Sequence, residues 1–562
     1  MPAPARSAFL GALIASLFAA LFCGDALAQK RNVIAQKKTV CTITVNSADE
    51  KDTLRKFLPR DKYDFVELVE HGRPDWLASA CNTGVQCDAL VISGHFAGTN
   101  FFSEEIATQE FLPVDEMERV SCSDSCPGLF SHLKEVYLFG CNTLNGENFE
   151  SDTAELMRNL MRAGNSKSEA AKRSREMSSQ FGETNRDKMR RIFADVPVIY
   201  GFSSKAPIGP VAAGNLSRYL QGGGGGEIGS GRLSSRLVSQ FRSTSFGSTS
   251  GVLHSGPQSR YRDEVCRFYD DRRPAGDKVH FLHQLLERNS TEVRMFLEHI
   301  EKFSTTLNDP KRKEPRVEAG LQWIADDHAA RDRYLKFART MDRPEIRARM
   351  VAVAGNLRWL DGSQQREELL AVITDLLNRK TLGVTDVDFV CGLNDKHQLD
   401  TTPDRFALSP AQAADTGHSA ALACLGSHDD HARMMIQLTS RQVPDVQIAQ
   451  VYFHHRPMTD VSEIRMAALD IAQMPESPAK VIALETLARH YLSDPESLDA
   501  LARAFPLSES VTTQRAIAGL LLRSDFKAIA RPELLRTLTT HRLRSPDGQD
   551  IIDVLIRRLR VS

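Results

Sequence analysis

The chain predicts an α/β domain with a mostly parallel sheet, followed by an all-α repeat domain. Three observations carry that expectation. Two apolar runs of buried-strand length, Ala89-Leu90-Val91-Ile92 and Val136-Tyr137-Leu138-Phe139, each break at a glycine. Further strand-like runs alternate with helical patterns around them, which is the arrangement of a layered parallel sheet. From about Lys278 nearly to the end, apolar residues recur at helical spacing instead.

In order, Lys38 to Val45 is β-branched and alternating and predicts a first strand; Asp49 to Phe57 predicts a short helix and Asp64 to Val69 a second strand. Pro74 to Ser79 fits a short helix with proline in its first turn. After the Ala89 run comes a loop-rich stretch, Ala97 to Lys134, with Phe101, Phe102 and the Asp115-Glu116 pair. Beyond the Val136 run, helices are expected over Ser151–Ala163, over Ser166–Phe181 with a Ser166-x-x-Glu169 capping box, and over Thr184–Ala194. Val196 to Tyr200 predicts another strand. The five glycines Gly222 to Gly226 and the Ser/Gly-rich residues after them predict a flexible linker or loop over 221–256. The domain boundaries that follow are 1–28, 29–220, 221–256 and 257–562.

Residues 1–28 have the pattern of a secretory signal: Arg6, an apolar and small-residue run from Ala8 to Phe22, and a small-x-small site at Ala26-Leu27-Ala28. An exported protein, periplasmic or secreted from a bacterium, is expected. No later apolar run reaches the roughly 18 residues of a membrane span. The formal net charge of −1 gives no global field for nucleic acid. After signal removal nine of the ten cysteines remain, and an odd number in an oxidising compartment leaves one thiol unpaired. The expectation is four disulfides with Cys141 free; Cys81/Cys87 and Cys122/Cys126 look like local pairs, and Cys391/Cys424 a tie between later helices. Their spacings are poor zinc-finger matches.

The chemistry-bearing residues stand where the two apolar runs end. Gly94 is followed by His95, and Gly140 by Cys141. At the carboxyl ends of neighbouring parallel strands, where such sheets keep their sites, a thiol and an imidazole make a Cys–His dyad. Here the chain resembles the caspase–legumain–gingipain superfamily of cysteine peptidases, which includes bacterial CHAT-type proteases. That family places its His after one hydrophobic strand and its Cys after the next; the separation here is 46 residues, beside about 50 in caspases. The resemblance covers roughly Thr39 to Leu220. It implies a caspase-like three-layer fold, Cys141 as nucleophile, His95 as proton-transfer partner, and backbone amides near Phe96 and Cys141 as oxyanion donors. It also implies a protein or peptide substrate and no metal or organic cofactor. Two differences stand out: the family has Gly directly after its His where this chain has Phe96, and Phe139-Gly140-Cys141 replaces the caspase Gln-Ala-Cys. A catalytically silent fold serving as a binding platform is the alternative, and His132 is the next candidate partner for Cys141.

In the C-terminal region the expected helix starts fall near Asp445, Val461, Pro478, Pro495 and Ser510, so a helix pair recurs about every 32 residues. Glu463–Leu469, Gln514–Leu520 and Pro344–Met350 resemble HEAT/armadillo-type helices, which implies a stacked solenoid able to hold a protein partner. His428, His431, His454 and His455 are histidines in close pairs, but Ser427 with Asp429 and Asp430 reads as a helix cap rather than a metal site.

Overall fold

Among the described residues nine strands are formed: β1 Lys38–Thr44, β2 Tyr63–Val69, β3 Ala89–Ser93, β4 His95–Phe96, β5 Asn100–Phe102, β6 Phe111–Pro113, β7 Glu135–Phe139, β8 Val198–Phe202 and β9 Phe246–Thr249. The structure is a computed structural model. It describes residues 37–69, 77–103, 110–123, 126, 128–147, 150–162, 164–307, 309, 314–395, 399–525, 529, 531–543 and 551–561. The expected signal segment lies outside the described residues.

Six strands make one sheet in the order β2-β1-β3-β7-β8-β9. All neighbours are parallel except β9, which runs antiparallel along β8. The central strands are predominantly apolar because both faces are covered, and alternate residues feed two separate cores. Cys41, Leu90, Ile92, Leu138 and Ile199 face one core, with Met117 and Val120 of the Val114–Cys122 helix and Met189 and Ile192 of the Asn185–Ile192 helix. Val40, Val91, Tyr137 and Tyr200 face the other, with Leu54 of the Asp49–Phe57 helix and Leu216 and Tyr219 of the Gly209–Gln221 helix. The Ser166–Glu169 capping box forms as the sequence indicates. The loop-rich stretch after His95 holds more order than its composition suggests, for β4, β5 and β6 pair into a small antiparallel sheet.

The Gly/Ser-rich tract is not a linker. It holds a 3-10 turn at Gly224–Glu227, a helix at Ser235–Gln240 and strand β9. What composition hid is a buried carboxylate. Glu135, 1% exposed, accepts hydrogen bonds from the backbone N–H groups of Gly229, Ser230 and Gly231, from Ser230 Oγ and from Tyr137 Oη. Gly229 and Gly231 have φ of 67° and 71°, so glycine is what lets successive amides curl round one anion. The glycines thus bind the tract to β7 instead of loosening it. The first compact unit accordingly runs on through Pro274, beyond the expected boundary at residue 256.

Four disulfides form, and Cys141 is the free cysteine among the described residues. Cys391–Cys424 is as expected, but the two local pairs are not. Cys41 bonds Cys87, Cys81 bonds Cys126, and Cys122 bonds Cys266. Parallel pairing brings the first pair together: β1 lies beside β3 with Cys41 opposite Leu90, and Cys87 stands two residues ahead of β3, near enough to Cys41 to bond it. Cys122 ends its helix against the Ser259–Tyr269 helix, which carries Cys266 and whose Arg262 also donates to Ser121 O.

The second unit, Arg158–Ala163 with Ala275–Ser562, is all helical in its described residues. Helices at Val443–His455, Val461–Gln473, Pro478–Leu487, Pro495–Ala504 and Val511–Arg523 start within two residues of the expected points. Pro478 and Pro495 take first-turn positions, and Ser477, Asp494 and Ser510 cap by accepting backbone N–H bonds. Within this run a helix packs on its neighbour and on the next but one, around one continuous apolar core.

Candidate active site

Register places the two predicted residues just past the ends of neighbouring strands. β3 and β7 are adjacent and parallel, with Ser93 opposite Phe139 at their carboxyl ends. Gly94 and Gly140 follow, then His95 and Cys141, so both stand two residues past the same rung. Gly94 N–H donates to Phe139 O at 3.2 Å and carries the pairing one step beyond the strands. A Cβ on Gly140 would lie 2.9 Å from Gly94 O, 2.9 Å from Phe96 Cβ and 3.1 Å from the Phe101 ring. That residue is glycine because the two chains close on each other there.

His95 opens β4, whose partner is β5, with His95 opposite Phe102 and Phe96 opposite Phe101. The His95 ring lies 5.4 Å from the Phe102 ring, and Phe96 packs 4.7 Å from the fully buried Phe101. Of the two phenylalanines in the loop-rich stretch, Phe101 is core and Phe102 lies against the imidazole. Ala97 N–H donates to Asn100 O. Antiparallel ladders alternate, so this bond makes Phe96↔Phe101 a non-hydrogen-bonded pair and directs the Phe96 N–H away from β5. His132 is exposed and precedes β7, at the end of the strand opposite Cys141. Five residues at roughly 3.3 Å each lie between, which removes His132 as a partner for the thiol.

Cys141 is half-buried, and Ala206 N–H donates to its Sγ at 3.3 Å. The next residues are locked onto the end of β8. Asn142, at φ 58°, donates from its N–H to Ser204 O at 2.7 Å. Thr143 Oγ1 accepts from Phe202 N–H and donates to Gly140 O. From the other side, Asn185 Nδ2 donates to Asn142 O, and Arg186 N–H to Asn145 O. Asparagine tolerates the left-handed conformation this turn requires. The turn therefore presents the thiol from a fixed backbone, with the 203–208 loop beside it.

Comparison with protein-family models, with curated proteins and with solved structures finds no match.

Two carboxyl groups near the rim were not singled out from the sequence. Glu50, in the first turn of the helix after β1, is 3% exposed and hydrogen-bonded to the Ser93 side chain. Burial pushes its pKa up to about 7, with a smaller push from Asp49, and its Oε2 has no hydrogen-bond partner. Asp49 accepts from Ser47 Oγ at 2.6 Å, and a Cβ on Gly209 would come within 2.5 Å of its Oδ2. Its carboxylate thus sits at the start of the Gly209–Gln221 helix, which has no side-chain cap of its own. The only available signal was position: both follow β1, the strand next to β3.

A cavity of about 520 Å³ shares Gly146 and Arg186 with the turn after Cys141, and Arg190 and Gln258 also line it. Burial is the largest influence on the Asp187 carboxyl and pushes it up, but hydrogen bonds from Gln258 and Thr184 and the charges of Arg191 and Arg186 together hold it below the usual range. In the helical unit, His431 Nδ1 lies 2.6 Å from Tyr452 Oη and its Nε2 3.1 Å from Glu463, while His455 contacts Asp388 and Asp395. Ser427 caps its helix by accepting from Asp430 N–H. Among the described residues His283, Glu287 and Asp327 are the one group whose ligand atoms lie within 4.8 Å of one another. There Asp327 already accepts from Ala330 N–H and pairs with His283.

Proposed function

We propose that this protein is an exported, caspase-like cysteine endopeptidase whose nucleophile is Cys141 and whose proton-transfer residue is His95, joined to a HEAT-like helical domain that binds a substrate or partner protein. The observation supporting this reading above the rest is the shared register: a free thiol and an imidazole, each two residues past the Ser93↔Phe139 rung. Four disulfides, and no described helix long and apolar enough to cross a membrane, fit an exported chain.

In this mechanism His95 takes the Cys141 proton as Sγ attacks the scissile carbonyl carbon. The Phe96 and Cys141 amides hold the oxyanion. Collapse expels the amine, which receives the proton from His95, and leaves a thioester. Water attacks it, His95 again moves the proton, and the acid product leaves with the thiol restored. A catalytically silent platform is the second reading; what favours it is the bulk of Phe96, wedged between Gly140 and Phe101.

An electrophilic peptide probe separates the two. The wild type should label on Cys141 alone, Cys141→Ala should not label, and His95→Ala should label much more slowly near neutral pH. Loss of either residue should abolish most turnover, with little further loss in the double variant. Wild-type protein that neither labels nor cleaves a peptide library would decide for the platform.

A further inference from the structure

The helical unit contains a cavity of about 440 Å³ whose lining includes Arg162, Arg339, Arg347 and Arg379 against only two carboxylates, Asp342 and Asp375. Arg162 clusters with this unit. Glu368 and Asp386, just outside the lining, pair with Arg339 and Arg379, so Arg347 is the arginine with the weakest compensation. Three of the arginines are held in place: Arg162 by Asp342, Arg339 by Glu368, and Arg379 by Asp386.

Arg347 is in a different situation. It is 8% exposed, its Nη1 donates to Asp375, and its Nε is buried with no hydrogen-bond partner. Asp375 is itself 66% exposed and so is a weak counter-charge. Arg347 also sits in the first turn of the Pro344–Asn356 helix, which has no side-chain cap, so its charge lies at the positive end of the helix dipole. A guanidinium is always charged, and burying one is unfavourable unless its donors are paired. Desolvation, dipole and an unused donor all oppose leaving this one as it is. An anion in the cavity relieves all three.

We propose that this cavity is a binding site for a doubly charged oxyanion, a phosphate or phosphoryl group, gripped by Arg347 with help from Arg379 and Arg339. Guanidinium forks match tetrahedral oxyanions in geometry, and the three oxygens of a phosphoryl group can take donors from several arginines at once where a monocarboxylate offers two. The volume exceeds that of a lone phosphate and leaves room for the rest of a small phosphoryl compound.

The test is calorimetric titration of the full protein with inorganic phosphate, acetate and O-phosphoserine, at ionic strength held constant with KCl. Phosphate should bind saturably at one site, acetate at least tenfold more weakly. Arg347→Met should weaken phosphate at least tenfold, and with phosphate absent its melting temperature should equal or exceed the wild type's. Should that variant fail to fold, Arg379→Met, on a side chain 43% exposed, should show the weakening instead. O-Phosphoserine binding tighter than phosphate would mark the ligand as a phosphoryl group on a larger molecule, and equal affinity would mark free phosphate. Wild-type heats for phosphate no larger than for acetate, or undiminished phosphate binding in the arginine variants, would overturn the proposal.

Discussion

Glu50 makes the α/β unit's stability depend on pH in a direction opposite to that of most carboxylates. Burial, its largest influence, raises the pKa from 4.5 to about 7, and the hydrogen bonds from its own backbone and Ser93 offset only part of that rise. In the unfolded chain the group returns to its ordinary value. Between the two values the folded state holds a proton that the unfolded state has lost, so stability falls as pH rises. The contribution is fully present below pH 4.5, declines through pH 7 and is flat above. At 1.36 kcal/mol per unit the total is about 3 kcal/mol. Glu50→Gln keeps the shape and the Ser93 hydrogen bond but cannot ionise. It should match the wild type at pH 4 and be more stable by about 3 kcal/mol at pH 8. The assay is urea unfolding of the disulfide-intact protein, read by pulsed hydrogen exchange at the amides of the buried strands β3 and β7 of that unit. Parallel midpoint-versus-pH curves for wild type and Glu50→Gln would refute the reasoning, since the slope would then come from other groups.

Three further outcomes are expected. Gly140→Ala places a methyl group against Gly94 O and Phe96, and should lower the unfolding free energy from the same urea transition by about 2 kcal/mol while slowing labelling of Cys141 by the peptide probe. Glu135→Gln removes the charge gripped by the Gly229–Gly231 amides and should expose 222–256 to limited proteolysis, which in the wild type should cut elsewhere first. Peptide mapping without reduction should recover Cys41–Cys87, Cys81–Cys126 and Cys122–Cys266; a chain-entropy estimate gives about 4–5 kcal/mol for loops of this length, so reduction should sharply lower the melting temperature.

The strands and helices that position the site were legible because each carries its signal locally. Ala89–Ser93 and Glu135–Phe139 are too short and too apolar to be anything but central strands, and the glycine after each marks where the chain must turn. The helix starts near Pro478 and Pro495 announce themselves by proline and a preceding cap residue. The disulfides were not legible, since near neighbours in sequence compete with partners that only the register supplies. Cys87 is six residues from Cys81, yet the sheet delivers it to Cys41.

The glycine-rich tract shows why composition misled. A run of glycines costs the most backbone entropy to order, so by itself it argues for a mobile segment. Ordering it requires a partner that no other residue type could satisfy as well. Glu135 is that partner, and its role is invisible locally, for a glutamate at the start of an apolar strand reads as the strand's solvent-facing end. Only when β7 is central does the carboxylate become buried, and only then must some segment bring it several amides at once. Residues 229–231 do so from 94 to 96 positions away in sequence. The tract leads on into β9, which pairs with β8, and Ser245, just before β9, accepts from Ser203 N–H through its carbonyl and from Ser204 N–H through its Oγ. Ser204 O in turn receives the Asn142 amide. The segment that looked most dispensable thus braces the loop beside Cys141, and a buried charge at the far end of β7 is what anchors it.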